Sequence, residues 1–524
     1  MHLTALDPVL IARWQFGITT VYHFWMVPLT IGLGPLVAYF QIRWHRSGDA
    51  RFYRATKFWG KLYLINFVMG VATGIVQEFQ FGLAWAQYSR FVGNIFGAPL
   101  AMEALLAFFL ESTFLGLWIF GWGRLPKGIH TATLCIAVAG SIISAYFIIV
   151  ANSWMQHPVG VTMEHGQPVM TDVWAILSNN TAVWSFLHTI LGSLMVGGMF
   201  LLGISWYQLW QRRKDGIDGV DADGRVIPGE NAAIPGRDRA DHRLWLGSLR
   251  VGSVVAIVAF AFVFITGDQQ GKLMFVQQPM KMAAAEAACD TTTDFSVLSF
   301  GAWNAESCHS VRDVIVVPGV LSFLANGNFD TPVKGVNQLI PIYQERYGTH
   351  ASNGNEINYV PLMPVTYWGF RVMITLGGLA AFAALVALWL TRKGTVPRSK
   401  WVMRLALLGI LAPFAANSAG WVFTEMGRQP FVVAPNPTGD DKLFLLTQVA
   451  NSPSVGAGEL VFSIASLGGL YLILMIVEAW LITKYVRGGA ASAIPELGKK
   501  PDDTDAPGGG TGQKSPDDVL AFAY

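Results

Sequence analysis

The chain has 524 residues, of which 52% are hydrophobic and only 13% are charged, and its formal net charge is +2. A soluble domain usually carries about 25% charged residues, so this composition excludes an ordinary soluble protein and indicates a membrane protein. The balanced charge, without a basic cluster, predicts no nucleic-acid partner.

Nine apolar runs exceed or approach the ~20 residues that a helix needs to cross a bilayer. They predict an all-α integral membrane protein with nine transmembrane helices near Ile11–Phe40, Leu62–Tyr88, Leu100–Trp122, Ile129–Val150, Ala182–Trp210, Leu244–Thr266, Tyr367–Leu390, Trp401–Phe423 and Leu460–Ile482. We expect the first run to be a helix and not a cleaved signal, because it is long and lacks a basic start.

Lysine and arginine are concentrated in alternate loops, whereas Ala151–Asn180 contains neither. Because positively charged loops stay in the cytoplasm, we expect the N-terminus outside and the C-terminus inside. The predicted organisation is six helices in residues 1–266, a large external loop in 267–366, three helices in 367–487 and a disordered cytoplasmic tail in 488–524. Gly216–Asp241 is predicted to be a flexible cytoplasmic loop.

Two histidines, His23 and His188, lie well inside predicted helices. A neutral imidazole is a common iron ligand, and a helical bundle can enclose haem. Taken alone, a histidine inside a membrane helix is more often a hydrogen-bonded packing residue or part of a proton relay. Glu103 and Glu111 are separated by about 12 Å along a helix and by about 80° around it. That spacing suits two stations of a proton path, or two protonated structural carboxyls.

The external loop contains two further candidate features. Cys289 and Cys308 are predicted to form a disulfide in an oxidising environment, the alternative being two free thiols. Lys281 and Glu286 lie in a short amphipathic segment. Both could reach a headgroup that loses protons as it is oxidised, or they could form a solvated helix face.

The last three predicted helices carry a methionine and a carboxylate. Met373 could be a soft haem ligand, although a membrane methionine usually packs in a core, and Arg371 lies two residues away. In Gly420–Phe431, a helix would place Trp421, Glu425 and Arg428 on one face and would end at Gly427 and Pro430. Glu425 is a candidate functional residue at membrane depth, or simply the partner of Arg428 in an ion pair.

In combination, these segments resemble subunit I of the cytochrome bd-type quinol oxidases over about residues 10–485. The segments that carry the resemblance are Arg13–Phe16, Tyr22–Phe24, the Glu103/Glu111 segment, Ala151–Gln156, His188–Thr189, Lys281/Glu286, Arg371/Met373 and Gly420–Pro430. The sequence departs from the family at Phe431, where the motif often ends in tryptophan.

The resemblance implies three haems. His188 and Met373 match the axial ligands of a low-spin haem b. His23 and Glu425 match the ligands of two high-spin haems, one of b type and one of d type, that reduce oxygen. Which residue binds which haem stays open, as does a third haem b in place of haem d. Trp421 resembles an aromatic residue between haems.

Other residues inherit expected roles from the same resemblance. Glu103 matches a carboxylate at the oxygen-reducing site, and Glu111 matches one in a proton route from the cytoplasm. Arg428 matches a partner of a haem propionate. Arg371 lies on another face of its helix than Met373, and from there it could also meet a propionate. Lys281 and Glu286 match the quinol-binding segment, the Q loop.

The expected function is therefore that of a terminal oxidase subunit in the bacterial cytoplasmic (inner) membrane. It would oxidise menaquinol or ubiquinol at the outer face, reduce O2 to water and generate a proton-motive force without a dedicated pump. The resemblance implies a second large subunit embedded in the same lipid and allows a small single-span one. The alternatives are a membrane cytochrome b that does not reduce oxygen and a proton-coupled transporter.

Overall fold

The computed structural model describes residues 7–215, 217–220, 226–227, 239–301, 308 and 311–494, and it is mostly helical. A π-helical turn, Glu103–Phe108, joins α3 to α4. The helices are α1 (Pro8–Ser47), α2 (Ala50–Leu83), α3 (Ala86–Met102), α4 (Phe109–Phe120), α5 (Lys127–Gln156), α6 (Val173–Leu177), α7 (Asn180–Lys214), α8 (Arg239–Gln277), α9 (Pro279–Ala285), α10 (Val320–Asn326), α11 (Val336–Tyr347), α12 (Met363–Leu390), α13 (Lys400–Leu408), α14 (Leu411–Gly427) and α15 (Ala457–Ser492).

Within the described residues, nine helical segments are long and apolar enough to cross a membrane, which confirms the predicted number. The boundary between the second and third segments was predicted wrongly. α2 ends at Leu83 and α3 begins at Ala86, about fourteen residues before the predicted start near Leu100. Hydropathy locates only the part of a helix inside hydrocarbon, and α3 begins with a more polar stretch that the apolar run does not include.

The long helices pack side by side in two neighbouring groups. α1 packs against α2, α5 and α7, whereas α7 packs along α8 and α12 packs along α14. Large aromatic side chains fill the interior between α2 and α8, where Trp59, Phe58 and Trp245 are fully or almost fully buried. α15 lies at the edge, against α1 and α2, and leaves most of its apolar surface exposed.

In the part of the chain that the structure describes, eight short strands form four antiparallel pairs at the ends of the helices. They are β1 (Val161–Glu164), β2 (Gln167–Met170), β3 (Gly219–Val220), β4 (Val226–Ile227), β5 (Phe295–Gly301), β6 (Val311–Val317), β7 (Phe431–Val433) and β8 (Leu445–Leu446). The sequence pattern predicted none of them. β5 and β6 form a hairpin whose Ser299 backbone N–H donates to the Tyr367 hydroxyl of α12 at 2.8 Å.

The long loop between α8 and α12 is thus a folded cap on one end of the bundle, which we call the loop end. Cys289 and Cys308 are joined in a disulfide there, with their Cα atoms 5.0 Å apart. At the other end, most of the predicted loop 216–241 lies outside the described residues. α15 continues to Ser492 across a kink at Gly489, so the first residues of the predicted tail belong to this element, and residues 495–524 lie outside the described range.

Candidate functional site

His23 is held by a threonine of the neighbouring helix. Its Nδ1 lies 2.9 Å from the Thr73 hydroxyl, and that hydroxyl donates to the Met69 carbonyl at 2.9 Å. A hydroxyl has one proton to give, so with that proton on the Met69 carbonyl the Thr73 oxygen accepts from His23 Nδ1–H. The neutral imidazole then keeps its lone pair on Nε2, which is the form that binds a metal.

His188 repeats this arrangement in the other half of the bundle. Its Nδ1 lies 3.0 Å from the Thr266 hydroxyl of α8, and that hydroxyl donates to the carbonyls of Phe262 and Val263, each at 3.1 Å. The same reasoning leaves the lone pair on His188 Nε2. Two imidazoles in separate parts of the bundle therefore share the same contact with a threonine, which leaves Nε2 of each able to bind a metal.

Met373 lies beside the same stretch of α14 that contacts the helix of His188. A Cβ atom added to Gly420 would stand 2.6 Å from the Met373 sulfur, so a larger residue there would displace the thioether from its position. Three residues earlier, the Asn417 amide of α14 donates to the carbonyl of Gly192, one turn beyond His188 on α7, at 3.5 Å. The helix of His188 (α7) and the helix of Met373 (α12) thus both contact α14 around residues 417–420.

Glu425 is paired in the structure on both carboxylate oxygens. Asn152 of α5 donates to Oε1 at 2.9 Å, and Arg428 donates to Oε2 in an ion pair. The buried Nε and Nη1 atoms of Arg428 have no hydrogen-bond partner, so the guanidinium retains donors for another anion. The predicted ion pair is therefore present, and it leaves Arg428 able to bind a propionate as well.

α14 ends at Gly427, but the glycine does not form the predicted left-handed cap. The cap residue is Arg428 in a right-handed conformation, so no left-handed glycine cap forms. Instead, a Cβ atom at Gly427 would stand 2.9 Å from Cγ of Lys281, which packs across it. The glycine brings α9 against the end of α14. Trp421 lies one turn before Glu425 and is half-buried.

His23 and Glu425 lie on neighbouring helices but at different depths. The Arg13 guanidinium of α1 contacts the Met426 sulfur at 3.8 Å, whereas the Trp25 indole donates to Ser418 at 2.9 Å. The two helices therefore run antiparallel, with Glu425 near the first contact and His23 near the second. The offset, on the order of 10 Å, fits two separate iron atoms better than one.

Glu103 and Glu111 both contact α5, which the predicted 80° separation did not anticipate. Ser144 donates to Glu103 at 2.6 Å, and Ser141 donates to Glu111. The π-helical turn Glu103–Phe108 lies between them, and its wider turn brings both carboxylates round to the same neighbour. Such turns are frequent at functional sites.

The structure separates Lys281 and Glu286, which were expected to reach one headgroup. Glu286 is buried and pairs with Arg371, 2.7 Å from its Nη2 atom. Arg371 also donates to the Ser296 carbonyl at 2.6 Å, although its Nε atom has no partner. Burial raises the pKa of Glu286, and Arg371 opposes that rise.

Lys281 instead faces a cavity of about 290 Å³ at the loop end, lined in part by Gln278, Tyr343, Arg428 and Phe431. Its ammonium group donates to the Gln156 side chain at 3.2 Å. Burial, followed by the nearby Arg428, lowers the pKa of Lys281 to about 7, and Glu425 partly opposes the shift. Near neutral pH this amine can therefore both hold and release a proton.

Several residues that complete these sites were not found from the sequence: Thr73, Thr266, Ser141 and Ser144. Asn152 and Gln156 lie in the segment Ala151–Gln156 that carries the resemblance, but they were given no role. The only indication in the sequence was the presence of hydroxyl and amide side chains within apolar helices. That indication does not identify the partner of each side chain. Among the described residues, no three His, Cys, Asp or Glu side chains converge on a metal site. Haem iron does not need such a cluster, because the macrocycle supplies the other ligands.

Comparison with known proteins identifies the family of the chain. A model of the family "Cytochrome bd terminal oxidase subunit I" matches residues 11–490. The chain is 38% identical to cytochrome bd ubiquinol oxidase subunit 1 of Bacillus subtilis (strain 168), over 93% of this chain and 95% of that one. It is 32% identical to cytochrome bd-II ubiquinol oxidase subunit 1 of Escherichia coli (strain K12), over 94% and 98%.

The fold is similar to that of the solved bd oxidase from Geobacillus thermodenitrificans, with a TM-score of 0.74 and 23% sequence identity. The match covers 93% of this chain and 99% of the solved one. Sequence and fold therefore agree over nearly the whole length, and the chain belongs to the cytochrome bd terminal oxidase subunit I family.

Proposed function

We propose that this chain is the haem-bearing subunit of a membrane quinol oxidase that reduces O2 to water. The main support for the proposal is the pair of imidazoles of His23 and His188. A threonine contacts Nδ1 of each ring, so that Nε2 can bind iron. Relatives named as cytochrome bd ubiquinol oxidase subunits support it.

The residues present fit three haems. His188 and Met373 would hold a low-spin haem b, and His23 and Glu425 would each hold one high-spin haem, of which one is haem d or a third haem b. When bound, these haems pass electrons from quinol to oxygen. The unpaired Arg428 nitrogens fit a propionate, and the free Arg371 Nε offers a second contact.

Quinol would enter the cavity at Lys281, which lies at the outer face if the basic loops mark the cytoplasm. The cavity has aromatic walls for a flat ring and the Lys281 amine for a proton leaving a hydroxyl. Glu286 and its partner Arg371 are not among the residues that line this cavity, so of the two predicted residues only Lys281 would contact the headgroup.

Protons for water formation would come from the cytoplasmic side past Glu111 and Glu103, with Ser141 and Ser144 holding the two carboxylates. Quinol protons would leave outside and substrate protons would enter from inside. This arrangement generates a proton-motive force without a pump. A second large subunit, a small single-span subunit and lipid would cover the exposed apolar surfaces.

The test is to assay the purified complex for quinol-driven oxygen consumption and to record its optical spectrum. We expect oxygen uptake together with low-spin and high-spin haem signals. A haem-containing preparation without oxygen uptake would favour an electron-carrying cytochrome b, and a colourless preparation would favour a transporter.

A further inference from the structure

α15 presents one polar stripe to the bundle, although most of its surface is apolar and exposed. Ser463, Tyr471, Glu478 and Tyr485 fall within about 80° of one another around the helix. Tyr471 and Glu478 are two of only four buried residues that the structure describes on this helix. The stripe therefore faces α1 and α2 and not the membrane.

Polar contacts from α1 and α2 meet this stripe along its length. The Tyr471 hydroxyl donates to the Thr73 carbonyl at 2.9 Å, and the Tyr471 ring lies 4.9 Å from the Tyr22 ring. Towards the end opposite the loop end, the Lys61 ammonium lies 5.4 Å from the centre of the Tyr485 ring. We call Lys61, Tyr485, Glu478, Tyr22, Tyr471 and Thr73 the polar seam.

Two groups in the middle of the polar seam lack partners. Glu478 is only 6% exposed, and it makes no hydrogen bond or ion pair with any residue that the structure describes. The Tyr22 hydroxyl is buried, has no hydrogen-bond partner and interacts electrostatically with Glu478. A buried carboxyl and a buried hydroxyl without hydrogen-bond partners are costly, and water between them would supply hydrogen bonds to both.

The polar seam connects one end of the bundle with a candidate haem ligand. Glu478 lies about 10 Å along α15 from Tyr485 and about 10 Å from Tyr471. Thr73, which contacts Tyr471 through its carbonyl, accepts from His23 through its hydroxyl. The seam thus approaches His23 from the α15 side, whereas Glu103 and Glu111 lie against α5.

We propose that Glu478 is a proton-relay residue in a second, water-containing route from the cytoplasmic end to the site at His23. The Glu478 carboxylate takes a proton from water on the Tyr485 side and becomes a neutral carboxyl. It then releases that proton to water on the Tyr22 side and returns to the carboxylate. The inference rests on the proposed oxidase function, in which two protons and two quinol electrons are consumed for each water formed.

The experiment uses the purified complex in liposomes and compares Glu478→Gln with Glu459→Gln, an exposed carboxylate in the first turn of the same helix. Haem spectra, oxygen turnover and proton uptake are recorded for each. We expect Glu478→Gln to keep all haem signals and to slow proton uptake and turnover about tenfold, with a larger solvent isotope effect. Glu459→Gln should match the wild type, and Glu478→Asp should recover much of the rate.

A purely structural role for Glu478 predicts different results. It predicts wild-type proton uptake in Glu478→Gln, and that result would overturn the proposal. If this variant fails to assemble, Tyr22→Phe decides, because it keeps the ring and removes only the hydroxyl: slower proton uptake supports the route, and an unchanged rate overturns it. A wild-type complex that consumes no oxygen with quinol would instead refute the proposed function itself.

Discussion

His23 and His188 share a feature that distinguishes them from an ordinary buried histidine. Each gives its Nδ1 proton to a threonine whose own proton is committed to the backbone. His130 shows the other situation: its Nδ1 contacts the Gln41 amide at 3.1 Å and its Nε2 contacts the Trp118 carbonyl at 2.8 Å. Both of its ring nitrogens are already in use, so it serves packing.

The contrast between His188 and His130 provides a test variant and a matched control. We expect His188→Ala to abolish the low-spin haem signal, because it removes a nitrogen ligand. Met373→Ala should convert that signal to a high-spin form, because the imidazole ligand remains. Reduced-minus-oxidised optical spectra of the purified variants measure both effects.

The control is His130→Ala, which removes a buried imidazole of the same kind. It should retain every haem signal while lowering stability by about 1–3 kcal/mol, the cost of a broken buried hydrogen-bond network. Retention of the low-spin signal in His188→Ala would refute the ligand assignment.

The lowered pKa of Lys281 predicts that the rate of quinol oxidation depends on pH. Its pKa of about 7 lies below the usual lysine value because the amine is buried. The amine is therefore mostly protonated below pH 7 and mostly neutral above it, and only the neutral form accepts a quinol proton. We expect kcat/KM for quinol to rise with pH through about 7 and to level off above it.

In Lys281→Met that rise should disappear, and kcat/KM should fall at alkaline pH. Lys272→Met serves as the control, because Lys272 is a partly exposed lysine that pairs with Asp268 at 2.6 Å on the same side of the bundle. Steady-state rates between pH 6 and 9 measure the effect. An identical rise in Lys281→Met and wild type would exclude Lys281 as the acceptor.

Among the elements, the π-helical turn between α3 and α4 has the most direct consequence for function. It places Glu103 and Glu111 against two serines of one helix. A regular helix would have turned the two carboxylates about 80° apart. The shared contact with α5 brings both carboxylates to one helix, which supports the proposed proton route along these residues.

Removing one serine tests that route. We expect Ser141→Ala to slow oxygen turnover several-fold, because Glu111 loses the hydrogen bond that positions it. Ser112→Ala is the matched control: Ser112 lies next to Glu111, but its hydroxyl donates to the Phe108 carbonyl at 2.8 Å. Equal turnover in the two variants would contradict the role of Ser141.

The elements also show what a sequence can and cannot predict here. The nine transmembrane helices follow from apolar length, because hydrocarbon requires every backbone group to be paired within the segment. The π-helical turn, the β5–β6 hairpin and the separation of Lys281 from Glu286 depend on contacts between distant segments. Arg371 illustrates this limit, since its partner Glu286 lies 85 residues away.

The candidate ligands were found because ionisable residues are rare inside membrane helices, and the resemblance supplied their roles. The threonines and serines that orient them could not be found in the same way. Hydroxyl residues are common in such helices, and no pattern within Leu62–Tyr88 distinguishes Thr73 from its neighbours. Only the packing of α1 on α2 makes that distinction.

Across the whole molecule, the folded cap is stabilised by a cross-link. The disulfide between Cys289 and Cys308 closes a loop with a sequence separation of 19 residues. A cross-link of that length stabilises a fold by about 3 kcal/mol in the chain-entropy description. We therefore expect Cys289→Ser with Cys308→Ser to make the cap more sensitive to limited proteolysis than the wild type.

Thiol labelling checks the pairing directly. The wild-type protein should gain two labelled cysteines after reduction, whereas Cys135→Ser should gain the same two and lack only the partly buried free thiol. Equal labelling with and without reductant would show that the two cysteines are free.

The central claim concerns the molecule as a whole: haem ligands in two parts of one bundle join a quinol cavity to an oxygen-reducing site. The most direct measurement is quinol-driven oxygen consumption by the purified complex, recorded with its reduced-minus-oxidised spectrum in the same preparation. The account predicts oxygen uptake in the wild type, with low-spin and high-spin haem signals, and loss of uptake in Glu425→Ala together with loss of one high-spin signal. Wild-type uptake and an unchanged spectrum in Glu425→Ala would contradict it.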